Sequence, residues 1–460
     1  MDVKIAGSPR AAQIESLRAE FAKAQVKKVK LGGFDVDGVL RGKYVSLDKF
    51  WSVAEGGLGF CDVIFGWDSS DQLYDNAQVT GWHTGYPDTK ATVDLATARF
   101  IPWEPGTAAF LLDFEAEQGK PLAVSPRQLL RAVDAKARAL GFSVKASSEY
   151  EFFLFKESPE SLRQKHYSDL TPLSPGMFGY SWLRASENAG LVHALIDGMN
   201  GFDVELEAFH TETGPGVYEA AIRYDSLLRA ADKSALFKTA AKEICARHGA
   251  MPCFMAKWNR DLPGCSGHLH QSLWTAAGEP AFHDPRGPRG MSKILQHYVA
   301  GQIALLPAMT ALIAPTINSY KRMVRGAWSP TLATWGHENR TTALRIIGGS
   351  PASTRVEFRL AAADMNPYVA LAASVGAGLW GIEHQLPLPA ETSGNGYEAR
   401  AEPLPSTLRA ATEALAKSRE MREILGAEFV DHYLRTRDWE CRQFEAAVTK
   451  WELERYFEII

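Results

Sequence analysis

Cysteine is scarce in this chain: five occur among 460 residues, and no two of them form a Cys-x-x-Cys pair. They are scattered along the whole length, at Cys61, Cys245, Cys253, Cys265 and Cys441. A disulfide scaffold needs an even set of cysteines, and a zinc finger needs closely spaced ligands. The cysteine pattern therefore argues against both and favours a reducing cytoplasm.

Long apolar segments are absent too. No window holds the roughly 18 uninterrupted apolar residues of a membrane span, and the N-terminal sequence MDVKIAGSPR has no apolar run after its charges. We therefore expect neither a membrane span nor a signal peptide. A formal net charge of −4 gives no basis for binding nucleic acid or an anionic membrane. With 46% apolar and 23% charged residues, the composition predicts a globular protein of the cytoplasm.

The sequence has no internal repeat and no low-complexity segment. At 460 residues the chain exceeds one ordinary core, which predicts two or more domains. The polar turn Glu117-Gln118-Gly119-Lys120 predicts a boundary, with a small α+β domain over residues 1–118 and a larger domain over residues 119–460.

Local patterns predict both helices and strands. Ser8-Pro9 is a cap-plus-first-turn signal for an opening helix, and residues 68–90 lack periodicity, as a long functional loop does. Further helices are predicted at 125–141, 225–248, 292–313 (interrupted by Pro307), from 366 onward, and over the last 55 residues. Strands are predicted within 26–47 (two, turning at 37–38), 62–67, 142–155, 203–212, 251–258, 267–273 and 341–360 (two).

The strand predicted over residues 142–155, FSVKASSEYEFFLF, carries two carboxylates on one face. Side chains alternate along a strand, so Glu149 and Glu151 point the same way, beside Phe153 and Phe155. Neighbouring carboxylates in so apolar a strand repel each other and resist burial unless a cation lies beside them. For this motif alone, a solvated strand face is the more common explanation.

Other segments repeat this pattern of oxygen and nitrogen donors on one strand face. They are His268 with His270, Glu357 with Arg359, and the pair Glu212 and Glu219, which flank the turn Gly214-Pro215-Gly216. Several such strands together are hard to reconcile with an inert core. Because carboxylates outnumber imidazoles, the donor set favours Mg²⁺ or Mn²⁺ over zinc.

An arginine-rich segment follows. It contains Arg322, Arg325, Arg340, Arg345, Arg355 and Arg359. Arginine binds phosphate and carboxylate in a bidentate manner, although a solvated basic face is the simpler alternative. Metal-binding carboxylates beside phosphate-binding arginines indicate nucleotide-dependent phosphoryl chemistry. The chain has no GxxxxGK[ST] sequence, so this is not a P-loop enzyme.

Seven segments, in this order along nearly the whole chain, resemble the glutamine synthetase family. They are SSEYEFFLF, HTETGPGVYEAAIRY, GCSGHLHQSLW, NSYKRMV, NRTTALRI, TRVEFR and ADMNPY. The resemblance implies an α+β fold, with a small β-grasp-like N-terminal domain and a catalytic domain whose antiparallel strands form a funnel surrounded by helices. It also implies active sites shared between subunits of stacked rings, usually a dodecamer of two hexamers.

The resemblance also implies roles for individual residues. Two trios would hold divalent ions: Glu151, Glu212 and Glu219 near the acceptor substrate, and Glu149, His268 and Glu357 on the nucleotide phosphates. The remaining matches are His270, Arg340, Arg345 and Arg355 at the phosphates of ATP, Tyr224 and Ser272 near its nucleoside, and Arg322 and Arg359 at substrate carboxylate and transferred phosphate. The implied reaction activates glutamate as γ-glutamyl phosphate, which an amine then attacks to form an amide.

The chain departs from the family pattern where ammonium would bind. Trp328 stands in the place of a glutamate that closes over the acyl phosphate. The family's Asp-Gly-Ser-Ser segment becomes Gly66-Trp67-Asp68-Ser69-Ser70, which shifts Asp68 by one position if the serines are aligned. Pro263 and Ala352 replace an asparagine near glutamate and a lysine near the nucleotide. Fewer carboxylates and two added indoles favour an apolar amine over ammonium.

The segment Asp37-Gly38-Val39-Leu40-Arg41-Gly42-Lys43 resembles the family's amine-specific branch, the γ-glutamyl-amide ligases. We therefore predict a ligase for a primary amine, aromatic amines first, small alkylamines second and polyamines lower. An ordinary glutamine synthetase that uses ammonia is the alternative within the same class. A non-catalytic structural relative is the alternative from another class, and the matched metal-ligand positions argue against it.

Overall fold

Two β-sheets, one in each part of the chain, carry the fold, and the computed structural model describes residues 9–460. The first sheet has five strands: β1 Lys28–Phe34, β2 Leu40–Ser46, β3 Leu58–Cys61, β4 Asp88–Phe100 and β5 Thr107–Glu115. Its order is β2-β1-β5-β4-β3, with β1 and β5 parallel and the other neighbours antiparallel. Helices α1 Pro9–Lys23 and α2 Leu47–Gly56 accompany it.

The second sheet is built around one long strand. Its strands are β6 Phe142–Phe155, β7 Leu206–Thr211, β8 Val217–Ile222, β9 Asp225–Ser226, β10 Met251–Cys253, β11 Gly267–Thr275, β12 Trp335–His337, β13 Leu344–Ile347 and β14 Arg355–Phe358. The order is β12-β13-β14-β11-β6-β8-β7, and β9 and β10 also pair with β6. Only β12 and β13 are parallel among these described strands.

Helices cover the second sheet and form the C-terminal part. They are α3 Pro126–Ala139, α4 Pro159–Gln164, α5 Trp182–Glu187, α6 Ala189–Gly201, α7 Leu227–Arg247, α8 Lys293–Ile313, α9 Ser319–Arg322, α10 Pro367–Glu383, α11 Leu408–Lys417, α12 Arg419–Leu425, α13 Ala427–Ala446 and α14 Lys450–Tyr456. Helices α8 and α10 approach each other so closely that a Cβ on Gly301 would collide with the α10 backbone at Ala377 and Gly381. None of the described helices is long and apolar enough to cross a membrane.

A buried ionic network joins the two sheets. Arg127 on α3 is almost fully buried and donates to Asp94 on β4, Asp113 on β5 and Asp232 on α7. Tyr368 on α10 donates to the same Asp232 at 2.6 Å. The predicted boundary at residue 118 falls between the sheets. The division into two domains stays a prediction, because a single apolar core contains residues from both parts.

Most predicted elements are confirmed. Strand β6 has the predicted bounds, and the last part of the chain is helical. The predicted strand at 62–67 is wrong: Asp62–Phe65 is a single 3₁₀ turn, which buries Ile64 and Phe65 equally well. Helix α8 continues through Pro307, and the strand predicted over 251–258 ends at Cys253. Ser8, the predicted cap of the first helix, lies outside the described residues. All five cysteines are free thiols.

Candidate active site

Four residues of the predicted metal and phosphate set meet in the middle of the second sheet. Glu149 on β6 pairs in register with His268 on β11, and His270 pairs with Glu357 on β14. Nδ1 of His268 lies 3.3 Å from Oε1 of Glu149 and 3.6 Å from Oε1 of Glu357. Nε2 of His270 lies 3.5 Å from Oε2 of Glu149. The strand alternation seen in the sequence therefore brings these side chains to one face of the funnel.

These side chains form two groups that could each hold a metal ion. Glu149, His270 and Glu357 offer ligand atoms within 4.8 Å of one another, and so do Glu149, Glu219 and His268. Carboxylate oxygens with one imidazole per group are donors that suit Mg²⁺ or Mn²⁺. Within the described part of the chain, Nε2 of His268 is buried without a hydrogen-bond partner. The residues present fit a divalent ion.

The grouping differs from the predicted trios. Glu149 belongs to both groups, whereas Glu151 and Glu212 belong to neither. Oε2 of Glu151 accepts hydrogen bonds from the backbone N–H and the hydroxyl of Ser266, at 2.7 and 3.0 Å. Oε2 of Glu212 accepts from its neighbour's N–H at 2.6 Å. Glu151 lies on the same strand as Glu149, and Glu212 directly follows β7, but one oxygen of each carboxylate is bonded outside the two groups.

The protein environment keeps Glu149 and Glu357 ionised, whereas burial raises the pKa of Glu219 to about 7. Burial would raise the pKa of Glu149, but hydrogen bonds from His268 and His270 outweigh burial and lower it strongly. Burial acts likewise on Glu357, where His268 and Arg359 lead the opposing charges and lower its pKa to about 2. Ionised carboxylates are the form in which such groups bind a metal.

Arginines surround Glu357 on the side of the predicted phosphates. Nη1 of Arg345 lies 3.0 Å from Oε2 of Glu357, and Arg359 pairs with Oε1 of the same residue. Nε of Arg355 donates to Nδ1 of His270 at 3.2 Å. Three of the predicted phosphate-site arginines therefore contact the carboxylate–imidazole cluster or adjoin it.

Arg322 takes a different position from the one predicted. Its side chain is 2% exposed, and it makes five hydrogen bonds to the hydroxyl of Ser329 and to backbone carbonyls of Cys265, Arg359, Leu360 and Ala361. All of its partners are protein atoms. In this conformation the side chain of Arg322 holds together segments that surround the site, and it does not project into the site.

One side of the cluster opens into a cavity of about 470 Å³. Its walls include the predicted residues Tyr224, Ser272, His270 and Arg355, together with Glu149, Ala352, Lys145 and Trp274. The ammonium of Lys145 lies 3.5 Å from the ring centroid of Trp274 and 5.4 Å from that of Tyr224. Two aromatic rings beside phosphate-binding groups suit a nucleoside triphosphate. Lys145 and Trp274 were not predicted as site residues.

A second opening, of about 530 Å³, contains Trp328, Arg340, His337 and Glu338. Trp328 is 63% exposed and takes a positive φ of 57°, which an L-residue adopts only at some cost. Arg340 is exposed as well. The indole of Trp328, which is predicted to replace the closing glutamate, therefore lies at the mouth of this opening. The guanidinium of Arg340 lines the same opening.

Tyr180 and His210 were not predicted, and they adjoin Glu219, which belongs to one of the two metal groups. The two rings stack at 4.5 Å, and Nε2 of His210 lies 2.9 Å from Glu219. Burial would lower the pKa of His210, but the hydrogen bond to Glu219 raises it to about 9. Tyr180 comes from a loop without periodicity, so the sequence offered no signal for it.

Asp68 lies apart from the cluster in a single chain. Its Oδ1 accepts hydrogen bonds from the N–H groups of Ser70 and Gln72, and its Oδ2 from the indole of Trp439. Within residues 9–460, Asp68 makes no hydrogen bond or ion pair with Glu149, Glu219 or Arg340. A single chain therefore does not assemble all of the predicted catalytic residues.

Comparison with known proteins gives one matching family model, described as glutamine synthetase, catalytic domain, over residues 123–456. The chain is 51% identical over 438 residues to "Type-1 glutamine synthetase 2" of Dictyostelium discoideum, covering 94% of this chain and 84% of the relative. It is 38% identical over 452 residues to "Glutamate--isopropylamine ligase" of a Pseudomonas species, covering 97% and 98%.

A further relative is "Gamma-glutamylethanolamide synthetase GlnA4" of Streptomyces coelicolor, 38% identical over 446 residues and covering 97% of this chain and 96% of the relative. Among solved structures, one titled "GmaS/ADP complex-Conformation 1" superimposes with a TM-score of 0.84 at 27% identity, covering 96% of this chain and 99% of that one. An unliganded GmaS structure gives the same TM-score at 28% identity. The α+β architecture with its antiparallel funnel is thus that of these structures.

Proposed function

Because the chain belongs to the glutamine synthetase family of ATP-dependent carbon–nitrogen ligases, we propose that it joins the γ-carboxylate of L-glutamate to a primary amine other than ammonia. The carboxylate oxygen attacks the γ-phosphorus of ATP, which gives γ-glutamyl phosphate and ADP. The amine nitrogen then attacks the acyl carbon, the C–O bond to phosphate breaks, and the amine loses a proton. The products are a γ-glutamyl amide, ADP and phosphate.

ATP and the other two substrates use different openings. ATP enters the cavity beside Tyr224 and Trp274, with its phosphates directed toward Arg355 and Arg345. Divalent ions, Mg²⁺ or Mn²⁺, bound by the carboxylates and imidazoles would neutralise charge on the phosphates. Arg359 and Arg340 add fixed positive charge where the transferred phosphoryl group develops negative charge. Glutamate and the amine use the opening beside Trp328.

Trp328 is the observation that carries the choice of amine. Ammonium and alkylammonium ions need a nearby carboxylate and a base, whereas an aryl amine is already neutral near pH 7 and needs apolar contact. The exposed indole at this opening supplies apolar contact and no negative charge, and the carboxylates that line the opening are already paired, Glu338 with Arg345 and Glu391 with Arg289. Two relatives named for amine substrates, at 38% identity, support the same direction.

Ordinary glutamine synthesis is the second candidate, and one observation favours it. The relative with 51% identity is named as a glutamine synthetase. Ammonia is small enough to react in any site that admits a larger amine. Relative rates therefore have to separate these two functions.

The position of Asp68 supports a shared site. Asp68 has its partners in its own loop and on α13, away from the metal groups, so a neighbouring subunit is needed to bring it to the amine. We therefore propose a homo-oligomer, and the family resemblance implies stacked rings, usually a dodecamer of two hexamers. Residues 1–118 serve as the domain that reaches the neighbour. A cytoplasmic location agrees with its five free thiols.

The test is release of phosphate with ATP, Mn²⁺ and saturating L-glutamate against a panel of amines. Aniline, isopropylamine, ethanolamine, putrescine and ammonia cover the aromatic, alkyl, hydroxyalkyl, polyamine and unsubstituted classes. We expect kcat/KM to be highest for aniline or isopropylamine. A preference for ammonia would overturn the proposal in favour of the second candidate, and no release with any amine would favour a non-catalytic protein. A fully active monomer would refute the shared site.

A further inference from the structure

A separate, partly open cavity lies between the first sheet and helix α7. Its volume is about 220 Å³, and its walls come from strands β1, β2, β4 and β5 on one side and from α7 and Phe202 on the other. None of its lining residues lines the nucleotide cavity or the opening at Trp328. It is therefore independent of the proposed reaction.

Most of the cavity wall is apolar. Leu31, Phe110, Phe202 and Leu236 are all lining residues, and all are buried. The volume exceeds the roughly 150 Å³ of a cavity that holds benzene, so an occupant of about nine non-hydrogen atoms fits. Apolar groups of that size gain free energy by leaving water for such a wall.

Four charged side chains line the cavity, Lys30, Lys43, Arg99 and Glu243, and Arg99 is the buried one among them. Arg99 on β4 is 4% exposed, and its Nη1 donates to the carbonyl of Thr97 at 2.9 Å. Nη2 lies 3.2 Å from Asp203, which is half exposed and also pairs with Arg229. Among the residues that the structure describes, Nε of Arg99 is buried with no hydrogen-bond partner. A buried donor without an acceptor is costly, and a charged donor more so.

Of the two lysines, Lys30 is paired with acidic groups, and the exposed Lys43 lies over the ring of Phe60. Nζ of Lys30 lies 2.6 Å from Glu104, which also accepts from the hydroxyl of Tyr44 at 2.8 Å. The indole of Trp103 donates to Glu243 at 2.7 Å. Burial lowers the pKa of Arg99, which means that its charge is under-solvated. An acceptor that carries negative charge would satisfy Nε and this charge together.

We propose that the cavity is a second small-molecule site, which binds a monocarboxylate with an unbranched or aromatic apolar body of about nine non-hydrogen atoms. The carboxylate accepts from Nε of Arg99, and the apolar body packs against Leu31, Phe110 and Leu236. Such a ligand touches both the N-terminal sheet and α7 at the same time. Binding here therefore stabilises one relative position of those two elements.

Octanoate is the probe, and octan-1-ol is its uncharged counterpart. Isothermal titration calorimetry on the intact oligomer should show saturable octanoate binding with one site per chain, unaffected by saturating ATP and glutamate. Octan-1-ol should bind at least about tenfold more weakly, because it offers Nε a neutral acceptor in place of an anion. Absence of saturable octanoate binding, displacement by ATP, or equal affinity for the two probes would overturn the proposal.

Two variants and a control locate the site. Arg99→Met should weaken octanoate by at least about tenfold and leave octan-1-ol within about twofold. Arg229→Met is the matched control, because Arg229 pairs with the same Asp203 without lining the cavity, and it should leave octanoate within about twofold. Ala240→Leu fills the cavity from α7 and should abolish binding of both probes. If Arg99→Met does not fold, Ala240→Leu and the comparison of the two probes still test whether the cavity binds a carboxylate. Unchanged octanoate binding in Ala240→Leu refutes the location.

Discussion

The indole Nε1 of Trp439 on α13 donates a hydrogen bond to Oδ2 of Asp68, at 3.0 Å. The other carboxylate oxygen accepts from two backbone N–H groups of the same loop. Two further contacts fasten this loop to the helix: Asn76 with the backbone of Arg435, and Asp75 with Arg442. Helix α13 therefore fixes the position of this loop, which in the proposed oligomer meets a neighbouring subunit.

Trp439→Phe keeps the packing of the ring and removes the indole donor. If the loop serves the neighbour's amine site, kcat/KM for the amine should fall by about five- to tenfold, the effect of about 1 kcal/mol of lost positioning. The KM for ATP should not change, because no residue of α13 lines the nucleotide cavity. Tyr74→Phe is the matched control, because Tyr74 packs on Trp439 and its hydroxyl has no partner within residues 9–460. Equal effects on ATP and amine in Trp439→Phe would show a general loss of structure instead.

Glu357→Gln tests the metal groups without changing the shape of the side chain. The substitution removes a charged ligand, and it also leaves Arg345 and Arg359 without their common carboxylate. Mn²⁺ affinity in the absence of ATP should fall by about 10- to 100-fold, and phosphate release should fall at least as much. Glu338→Gln is the control, because Glu338 also pairs with Arg345, at 2.5 Å, but belongs to neither metal group. Electron paramagnetic resonance of bound Mn²⁺ measures both variants, and wild-type affinity in Glu357→Gln would refute the assignment.

The central strand and its site residues could be predicted because they follow from short-range rules. Strand β6 alternates up to Glu151 and continues through four buried residues to Phe155, and Gly141 at φ 85° precedes it. Alternation also placed Glu149 on the functional face, and the register with β11 then brought His268 opposite to it. Where two metal-ligand candidates lie two positions apart on one strand, that spacing alone predicts that their side chains point to the same face.

Features that depend on contacts between distant segments could not be predicted. The apolar run at 62–67 is compatible with a strand or with a single helical turn. Only the packing of Ile64 and Phe65 in the folded chain favours the turn. Tyr180 reaches His210 from a loop whose sequence has no period. The five hydrogen bonds of Arg322 run mostly to carbonyls of a segment nearly 40 positions away. No local pattern signals such bonds.

Tyr224→Ala should weaken the use of ATP. Tyr224 is half exposed in the nucleotide cavity, near Lys145 and Trp274. Loss of one aromatic face is expected to raise the KM for ATP by about three- to tenfold and to leave the KM for glutamate unchanged. Tyr167→Ala, at an exposed tyrosine outside the cavity, provides the control. Steady-state kinetics with each substrate varied in turn measures the effect, and a rise confined to glutamate would place the nucleotide elsewhere.

Stability should depend on pH through His432, which is buried on α13. Burial, aided by the charge of Arg437, lowers the pKa of His432 from 6.5 to about 4. Between these values the unfolded chain binds a proton that the folded chain excludes. The free energy of unfolding should therefore decrease as the pH falls from about 6.5 to about 4, by about 3 kcal/mol at most.

His432→Gln should remove this part of the acid sensitivity, whereas His193→Gln, at an exposed position on α6, should keep it. Urea unfolding at pH 7.0, 5.5 and 4.5 gives the comparison. Parallel pH profiles for the wild type and His432→Gln would show that another group is responsible.

Trp328→Glu tests what selects the amine. The indole lies exposed at the opening beside Arg340, in the place where the family's glutamate closes over the acyl phosphate. A carboxylate there attracts ammonium and helps to remove its proton, and the change also removes apolar contact with a larger amine. The ratio of kcat/KM for ammonia to that for aniline should therefore rise by at least about tenfold, since each of the two effects is worth about 1 kcal/mol. Trp328→Gln removes the indole without adding charge. It should lower the rate with aniline or isopropylamine and leave ammonia unimproved, so that comparison of the two variants separates charge from contact. If the parent enzyme already prefers ammonia, or if both variants change the ratio equally, then Trp328 does not select the amine by charge.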